Sequence, residues 1–277
     1  MEHIEGTFIG AEDHTVYYQG WQPSDETRAV LLMNHGIEEH SGRYINLVKH
    51  LVPLGYAMYG HDCIGHGKTE GVRVFVEDYQ NLKSILDIFK AMVRAWHPQM
   101  PFFMFGYSMG CLISLDYLLD TSEDFSGAIF ASPTFTVPPG ITKLEVGVTK
   151  LLSKLAPKIR LTEFDINDIT QDPKAAQAYL SDPLIYDGNP TARFMAELLK
   201  GINRVQKDME KFSLPFLVLQ GGADNIADPA GSRMLYERAD AKQKTLKVYD
   251  GFNHGLFIEP GHDQVLDDVE VWLDQQL

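Results

Sequence analysis

The chain has 277 residues, 44% of them hydrophobic and 22% charged, with a net charge of −14 at neutral pH. This is the composition of an ordinary globular protein rather than a disordered one; its apolar runs fall far short of the ~20 residues a membrane-spanning helix needs, and its negative charge argues against nucleic acid as a partner. The acidic start, Met1-Glu2-His3-Ile4-Glu5, has neither the basic residues nor the apolar stretch of a secretory signal, which predicts a cytoplasmic location, and Cys63 and Cys111, lacking any metal-ligand spacing, are expected as reduced thiols.

Taken in order, Gly6 to Ile9 and Thr15 to Trp21 read as an opening antiparallel hairpin around Glu12-Asp13-His14. Ala29 to Met33 is a solid apolar strand that feeds the loop Asn34-His35-Gly36-Ile37. Ser41 to Leu54 has helical spacing and stops at Pro53 and Gly55; Tyr56 to Tyr59 is strand, and Asp78 to Trp96 is a long amphipathic helix closed by His97-Pro98. Phe102 to Phe105 is a buried strand, Gly127 to Ala131 another. From residue 134 to about 190 no stretch resembles a core strand, so this interval reads as a cap inserted over the carboxyl edge of the sheet, within a single domain spanning 1–277. Thr191 to Met209, Asp228 to Ala239 and Gln264 to Leu273 read as helices, with strands at Pro215 to Leu219 and Thr245 to Tyr249. Strand and helix alternating in this way imply a mostly parallel sheet with helices on both faces.

The strand at Phe102 ends abruptly in Gly106-Tyr107-Ser108-Met109-Gly110, a G-x-S-x-G turn followed by the helical spacing of Leu112, Ile113, Leu115 and Leu118. A serine between strand and helix on so sharp a turn is lifted above the sheet, and the helix that follows aims its free N–H groups at the same place. Serine chemistry further requires a base, an acid that orients it, and donors for the developing oxyanion. His254, in Gly251-Phe252-Asn253-His254-Gly255 after a strand, has the right place in chain order. His40, His50, His97 and His262 fall at helix ends or exposed positions, and His3 and His14 on the hairpin. Two acids follow the strand at Pro215. Asp228 precedes Pro229 and has an N-cap role ready for it, whereas Asp224 has none and stands closer to the strand end, which favours Asp224. The expected oxyanion donors are the backbone N–H of Met109 and a backbone N–H of the loop Asn34-His35-Gly36-Ile37. His35 is expected to fix its loop by hydrogen bonds without touching substrate.

Two further stretches stand out. Asp62-Cys63-Ile64-Gly65-His66-Gly67-Lys68-Thr69 matches a phosphate-binding loop except at its first position, where a carboxylate would oppose phosphate, so nucleotide binding is not expected. In the cap, Ile141, Leu144, Val148, Leu151, Leu152 and Leu155 have helical spacing, and Lys143, Lys150, Lys154, Lys158 and Arg160 stand against the single acid Glu145. A basic amphipathic helix suits transient contact with an anionic membrane surface; the alternative is that its apolar face packs on the core and its lysines are merely solvated.

Together these residues resemble the monoglyceride lipase group of α/β-hydrolases, the lysophospholipase-like serine hydrolases. The resemblance runs from about Thr15 to Trp272. It is carried by His35-Gly36-Ile37-Glu38-Glu39-His40-Ser41-Gly42-Arg43-Tyr44, the segment Asp62 to Gly71, the serine turn, Ser181-Asp182-Pro183-Leu184, and Gly221 to Asp224. It implies an α/β-hydrolase fold, the triad Ser108, Asp224 and His254, oxyanion donors Ile37 and Met109, a mobile cap over an acyl tunnel, and no cofactor or metal. It also marks Glu39, Arg43 and Tyr179 as polar groups near the alcohol end of a small lipid ester. The chain departs from the family pattern at Tyr107, where histidine is usual, at Cys111 and Glu38, where glycine is, and at Ala227, near a family cysteine. The expected activity is hydrolysis of monoacylglycerols, with lysophospholipase, general carboxylesterase and a non-hydrolytic scaffold on the same fold as the competing readings.

Overall fold

A computed structural model describes residues 1–138, 140–161 and 166–277; residues 139 and 162–165 of the expected cap lie outside the described residues. The chain opens with β1 (Glu2–Ile9) and β2 (Thr15–Gln22), an antiparallel pair in which His3 lies opposite Trp21. β1 begins four residues earlier than the sequence pattern indicates, because Glu2, His3 and Glu5 are polar residues of an edge strand with one face in water. β3 (Ala29–Asn34), α1 (Ile45–Leu51) and β4 (Tyr56–His61) follow. The helix expected from Ser41 to Leu54 is divided: 3₁₀ turns at Ser41–Tyr44 and Val52–Leu54 flank α1. Pro53 has no N–H to continue the helix, and Gly55 turns the chain at φ 96°.

α2 (Tyr79–Trp96) starts where the Asp78 carboxylate accepts the Gln80 N–H at 2.9 Å. β5 (Phe102–Tyr107), α3 (Met109–Leu118) and β6 (Gly127–Ala131) come next. Between β6 and β7 (Phe216–Gly221) lie α4 (Lys143–Leu155), α5 (Pro173–Leu180) and α6 (Ala192–Asp208). The chain closes with α7 (Pro229–Arg238), β8 (Lys244–Tyr249) and α8 (Asp263–Asp274).

The eight strands form one sheet in the order β1-β2-β4-β3-β5-β6-β7-β8, antiparallel at β1/β2 and β2/β4 and parallel from β4 onward. The central strands are buried at every position and mostly apolar because both faces are covered. Alternate residues divide between two cores: Val30, Leu32, Phe102, Met104, Phe130 and Val218 pack with α2, α3 and α6, while Leu31, Met33, Phe103, Phe105, Ile129 and Leu219 pack with α1 and α8. The architecture is the α/β-hydrolase arrangement that the resemblance implies. No described helix is long and apolar enough to cross a membrane.

The segment Asp62 to Thr69 is a structural turn, not a phosphate cradle. Asp62 accepts hydrogen bonds from the Ser41 N–H and hydroxyl and from the Lys68 N–H, and a Cβ on Gly67, at φ 46°, would stand 2.1 Å from the Asp62 carboxylate. The aspartate that departs from the phosphate-loop pattern is thus the group that holds the loop.

Candidate active site

The sharp turn after β5 places Ser108 at φ 52° and ψ −118°, a backbone conformation that costs energy for any residue but glycine. The flanking glycines make the turn possible. A Cβ on Gly106 would lie 2.7 Å from the Cys111 Cα, and one on Gly110 would lie 2.1 Å from the Asn34 carbonyl oxygen. Small residues are therefore required by close backbone approach, which seats α3 against the end of β3.

Asp224 and His254 come from the ends of β7 and β8 and meet Ser108 above the sheet. The Asp224 carboxylate can only accept, so at 2.9 Å the His254 Nδ1–H donates to it; Nε2 of the neutral ring then accepts the Ser108 hydroxyl, also at 2.9 Å. Asp224 is held in turn: Oδ1 accepts the Ile226 and Ala227 N–H groups at 2.9 and 2.8 Å, and Oδ2 accepts Gln220 Nε2 at 3.0 Å as well as the imidazole. Asp228 does what its neighbour Pro229 indicates, capping α7 by accepting the Ala230 N–H at 2.9 Å.

Of the two residues expected as oxyanion donors, Met109 directly follows Ser108 in the chain and Ile37 lies on the wall of the cleft that Ser108 lines. Met109 is the first residue of α3, so its N–H has no acceptor within the helix. Ile37 lines the cleft with Ser108 and His254. Its loop is fixed by His35: Nε2 accepts the Cys63 N–H at 2.8 Å, which leaves Nδ1–H to donate to the Gly36 carbonyl at 2.6 Å, and burial pushes the ring's pKa down, keeping it neutral. Glu39 supports the same loop, its Oε1 accepting the Gly36 N–H at 2.7 Å and the Tyr44 hydroxyl. Arg43 lies 5.0 Å over the Tyr179 ring and 3.7 Å from Asp182. Glu39, Arg43 and Tyr179 all border the cleft. His40 is buried, capping the turn at Ser41 and contacting Asp182 at 3.0 Å.

The cleft beside Ser108 is partly open to solvent. Ile37, Ile169, Ile226, Phe257 and Ile258 contribute apolar lining to it, and Glu38, Glu39, Arg43 and Tyr179 polar lining. Glu38 stands at φ 66°, and burial pushes its carboxyl up to about 8. A second cleft, between residues 166–169 and 179–189, shares Glu38, Ile169 and Tyr179 with the first.

Several neighbours of the site gain their role only from the fold. The Tyr107 hydroxyl, where the family pattern has histidine, donates to the His254 carbonyl at 3.1 Å, and the Ser132 hydroxyl donates to the same oxygen at 2.7 Å. Thr134 Oγ1 lies 3.3 Å from Ser108 Oγ. Cys111 is fully buried, gives its thiol to the Ala131 carbonyl at 3.2 Å, and is kept protonated by burial, so it serves as a small packing residue. The Ser132-Pro133 signal after β6 places Ser132 and Thr134 at a strand end, which is as much as sequence offers for these two.

α4 does not pack as an ordinary amphipathic helix. Leu144, Leu151 and Leu155 are 77%, 56% and 75% exposed, and the one buried residue of the helix is Ser153. The reading in which its apolar face packs on the core is therefore overturned.

A family model described as serine aminopeptidase, S33, matches residues 25–261. The monoglyceride lipase of Rattus norvegicus is 33% identical over 272 residues, covering 97% of this chain and 90% of that one. A crystal structure of Paleococcus ferrophilus monoacylglycerol lipase is similar with a TM-score of 0.85 at 27% identity, covering 95% of this chain and 99% of that one. That of a soluble variant of the Saccharomyces cerevisiae monoglyceride lipase, in complex with a substrate analogue, has a TM-score of 0.88 at 25% identity, covering 98% and 94%. With the sheet order, the serine turn and likeness across nearly its whole length, the chain belongs to the serine aminopeptidase S33 family, among the monoglyceride lipase-like α/β-hydrolases.

Proposed function

We propose that this protein hydrolyses the ester bond of monoacylglycerols to fatty acid and glycerol, with Ser108 as nucleophile, His254 as general base and acid, Asp224 as the acid that orients it, and the N–H groups of Ile37 and Met109 as oxyanion donors. The observation that carries the reading is the unbroken chain Asp224 Oδ2, His254 Nδ1, His254 Nε2, Ser108 Oγ, with 2.9 Å at both links. Ser108 Oγ attacks the ester carbonyl as Nε2 takes its proton. The imidazolium so formed is stabilised by Asp224, and the oxygen of the tetrahedral intermediate by the two N–H groups. Collapse transfers the proton from Nε2 to the departing glycerol oxygen and leaves an acyl-serine, which water, deprotonated by the same nitrogen, then releases as fatty acid. Every proton in this sequence moves between His254, Ser108, substrate and water, so the chemistry needs no cofactor.

The apolar lining of the cleft suits an acyl chain, and the polar lining around Arg43 and Tyr179 suits a small neutral polyol. Glu39 takes part there chiefly through the loop it holds, since Oε1 is committed to Gly36 and Tyr44. Residues 134–190 act as a cap on the single domain, and the exposed apolar face of α4, flanked by Lys143, Lys150 and Lys154, meets the surface of an anionic lipid layer. An alkyl fluorophosphonate tests the core of this reading: it labels the wild-type protein at Ser108 and leaves Ser108→Ala unlabelled, and equal labelling of both would place the nucleophile elsewhere.

A further inference from the structure

His254 stands five residues beyond the end of β8, in a loop that turns at Gly251 with φ 77°, so the strand alone does not fix it. The loop takes its shape from a different part of the chain. The His254 N–H donates to the Asp168 carbonyl at 3.2 Å and the Gly255 N–H to the Ile169 carbonyl at 2.7 Å, while the Asn253 side chain donates to the Asn167 carbonyl at 2.8 Å. Residues 167–169 thus run alongside 253–255 as a strap. They belong to the stretch between β6 and β7 that also carries α4 and α5.

One carboxylate closes the strap onto the loop. Glu259 is 1% exposed, its Oε1 accepts the Asn253 N–H at 2.8 Å, and its Oε2 accepts the Gln171 N–H at 2.9 Å and the Thr170 hydroxyl at 3.1 Å. The two backbone N–H groups point at the carboxylate, while the single proton of the Thr170 hydroxyl is shared between it and the Ile258 carbonyl, also at 3.1 Å. A buried anion satisfied in this way holds its donors in a narrow range of positions, since losing any one leaves a charge or an N–H group unpaired.

We propose that Glu259 is a positioning residue for His254, clamping the strap at Thr170 and Gln171 to the loop at Asn253 so that the imidazole stands within reach of Ser108 only while the strap is docked. The proposal rests on the reading of His254 as the base. A displacement of the ring by about 1 Å is enough to cost ~10²-fold in turnover. The position of the base is thereby tied to the inserted stretch and not to the sheet alone.

The test is Glu259→Gln in both the wild-type and the His254→Ala background, assayed on a soluble short-chain ester at a temperature where circular dichroism shows every variant folded. The amide offers one acceptor where two are needed, so either Asn253 or the Thr170–Gln171 pair faces an NH₂ group. The expected result is a kcat lower by ~10- to 100-fold with KM within about twofold in the wild-type background, and no further loss, within about twofold, once His254 is alanine. Equal losses in both backgrounds, or a kcat within about twofold of wild type, would overturn the proposal. Full activity of His254→Ala alone would instead overturn the base assignment. Should Glu259→Gln fail to fold, Thr170→Val removes one donor and leaves both backbone N–H groups on the carboxylate; kcat should fall ~3- to 10-fold and recover in Thr170→Ser, and unchanged kcat in Thr170→Val refutes the clamp.

Discussion

Asp224→Asn separates the two aspartates at the end of β7 and tests the orientation of His254 with one atom changed. In the native site the two oxygens of Asp224 have different duties: Oδ1 takes two backbone N–H groups, and Oδ2 takes His254 Nδ1 and Gln220 Nε2. The backbone donors cannot rotate, so the asparagine oxygen stays with Ile226 and Ala227 and the NH₂ group faces His254. The imidazole must then present an unprotonated Nδ1 and carry its proton on Nε2, where it points at Ser108 and cannot accept the hydroxyl proton. Loss of the correct tautomer lowers kcat by ~10⁴-fold, about 5.5 kcal/mol of barrier. Asp228→Asn keeps an equally good N-cap on α7 and should leave kcat within about twofold. Initial rates on a chromogenic ester, with active-site titration to correct for folded enzyme, decide the matter. Comparable losses in the two variants, or a larger loss in Asp228→Asn, would refute the assignment.

Three other outcomes follow from the same geometry. Gly110→Ala puts a methyl group 2.1 Å from the Asn34 carbonyl and should cost about 3 kcal/mol in urea unfolding, together with most of the ester turnover; a variant as stable and active as wild type would mean that this approach is not rigid. Reversing Lys150 and Lys154 to glutamate should weaken binding to anionic phospholipid vesicles by more than ~30-fold at low salt, at about 1 kcal/mol per lysine lost, and leave cleavage of a soluble ester unchanged; sedimentation that ignores both salt and reversal would remove α4 from the lipid surface. Burial raises Glu38 from 4.5 to about 8, so the folded state holds that proton more tightly than the unfolded chain; its contribution to stability is present below pH 4.5 and is lost as pH rises through about 8. Glu38→Gln should therefore flatten the decline of Tm across that interval, and parallel Tm curves for the two proteins would contradict the buried acid.

The parts of the fold that sequence made plain are those where one physical requirement acts alone. Ala29 to Met33, Phe102 to Phe105 and Pro215 to Leu219 are continuous apolar runs because their strands are covered on both faces, whereas a strand with one face in water would alternate with polar residues. β1 is harder, since Glu2, His3 and Glu5 satisfy an edge strand and a disordered terminus equally well. The division of Ser41 to Leu54 was signalled by Pro53, but helical periodicity extends over 3₁₀ turns without distinguishing them.

At the site, Ser108, Asp224 and His254 were legible because each follows a recognisable strand and their order in the chain is constrained. The contacts of Tyr107, Ser132 and Thr134 were not, since a tyrosine, a serine and a threonine at strand ends carry no periodicity and their partners lie 26 to 147 residues away. Glu259 is the extreme case. Thr170 and Gln171 come from the stretch between β6 and β7 and Asn253 from the loop after β8, and only the folded chain brings 170–171 to the carboxylate that also holds 253. α4 shows the converse: its amphipathic pattern was evident, but the pattern does not say whether the apolar face meets protein or solvent, and the exposure of Leu144 and Leu155 does.

The most direct test of the account is kcat/KM for a monoacylglycerol against the lysophosphatidylcholine of the same acyl chain, measured in identical mixed micelles. The apolar lining of the cleft gains roughly 0.8 kcal/mol per methylene buried, so kcat/KM for monoacylglycerols should rise by about fourfold per added carbon until the cleft is full. Among the described residues that line the cleft Arg43 is the one guanidinium, itself beside Asp182, which leaves little with which to clamp a phosphodiester. The account predicts that the monoacylglycerol is preferred by at least ~10-fold, a difference of about 1.4 kcal/mol. A preference for the lysophospholipid, or rates indifferent to chain length, would contradict it.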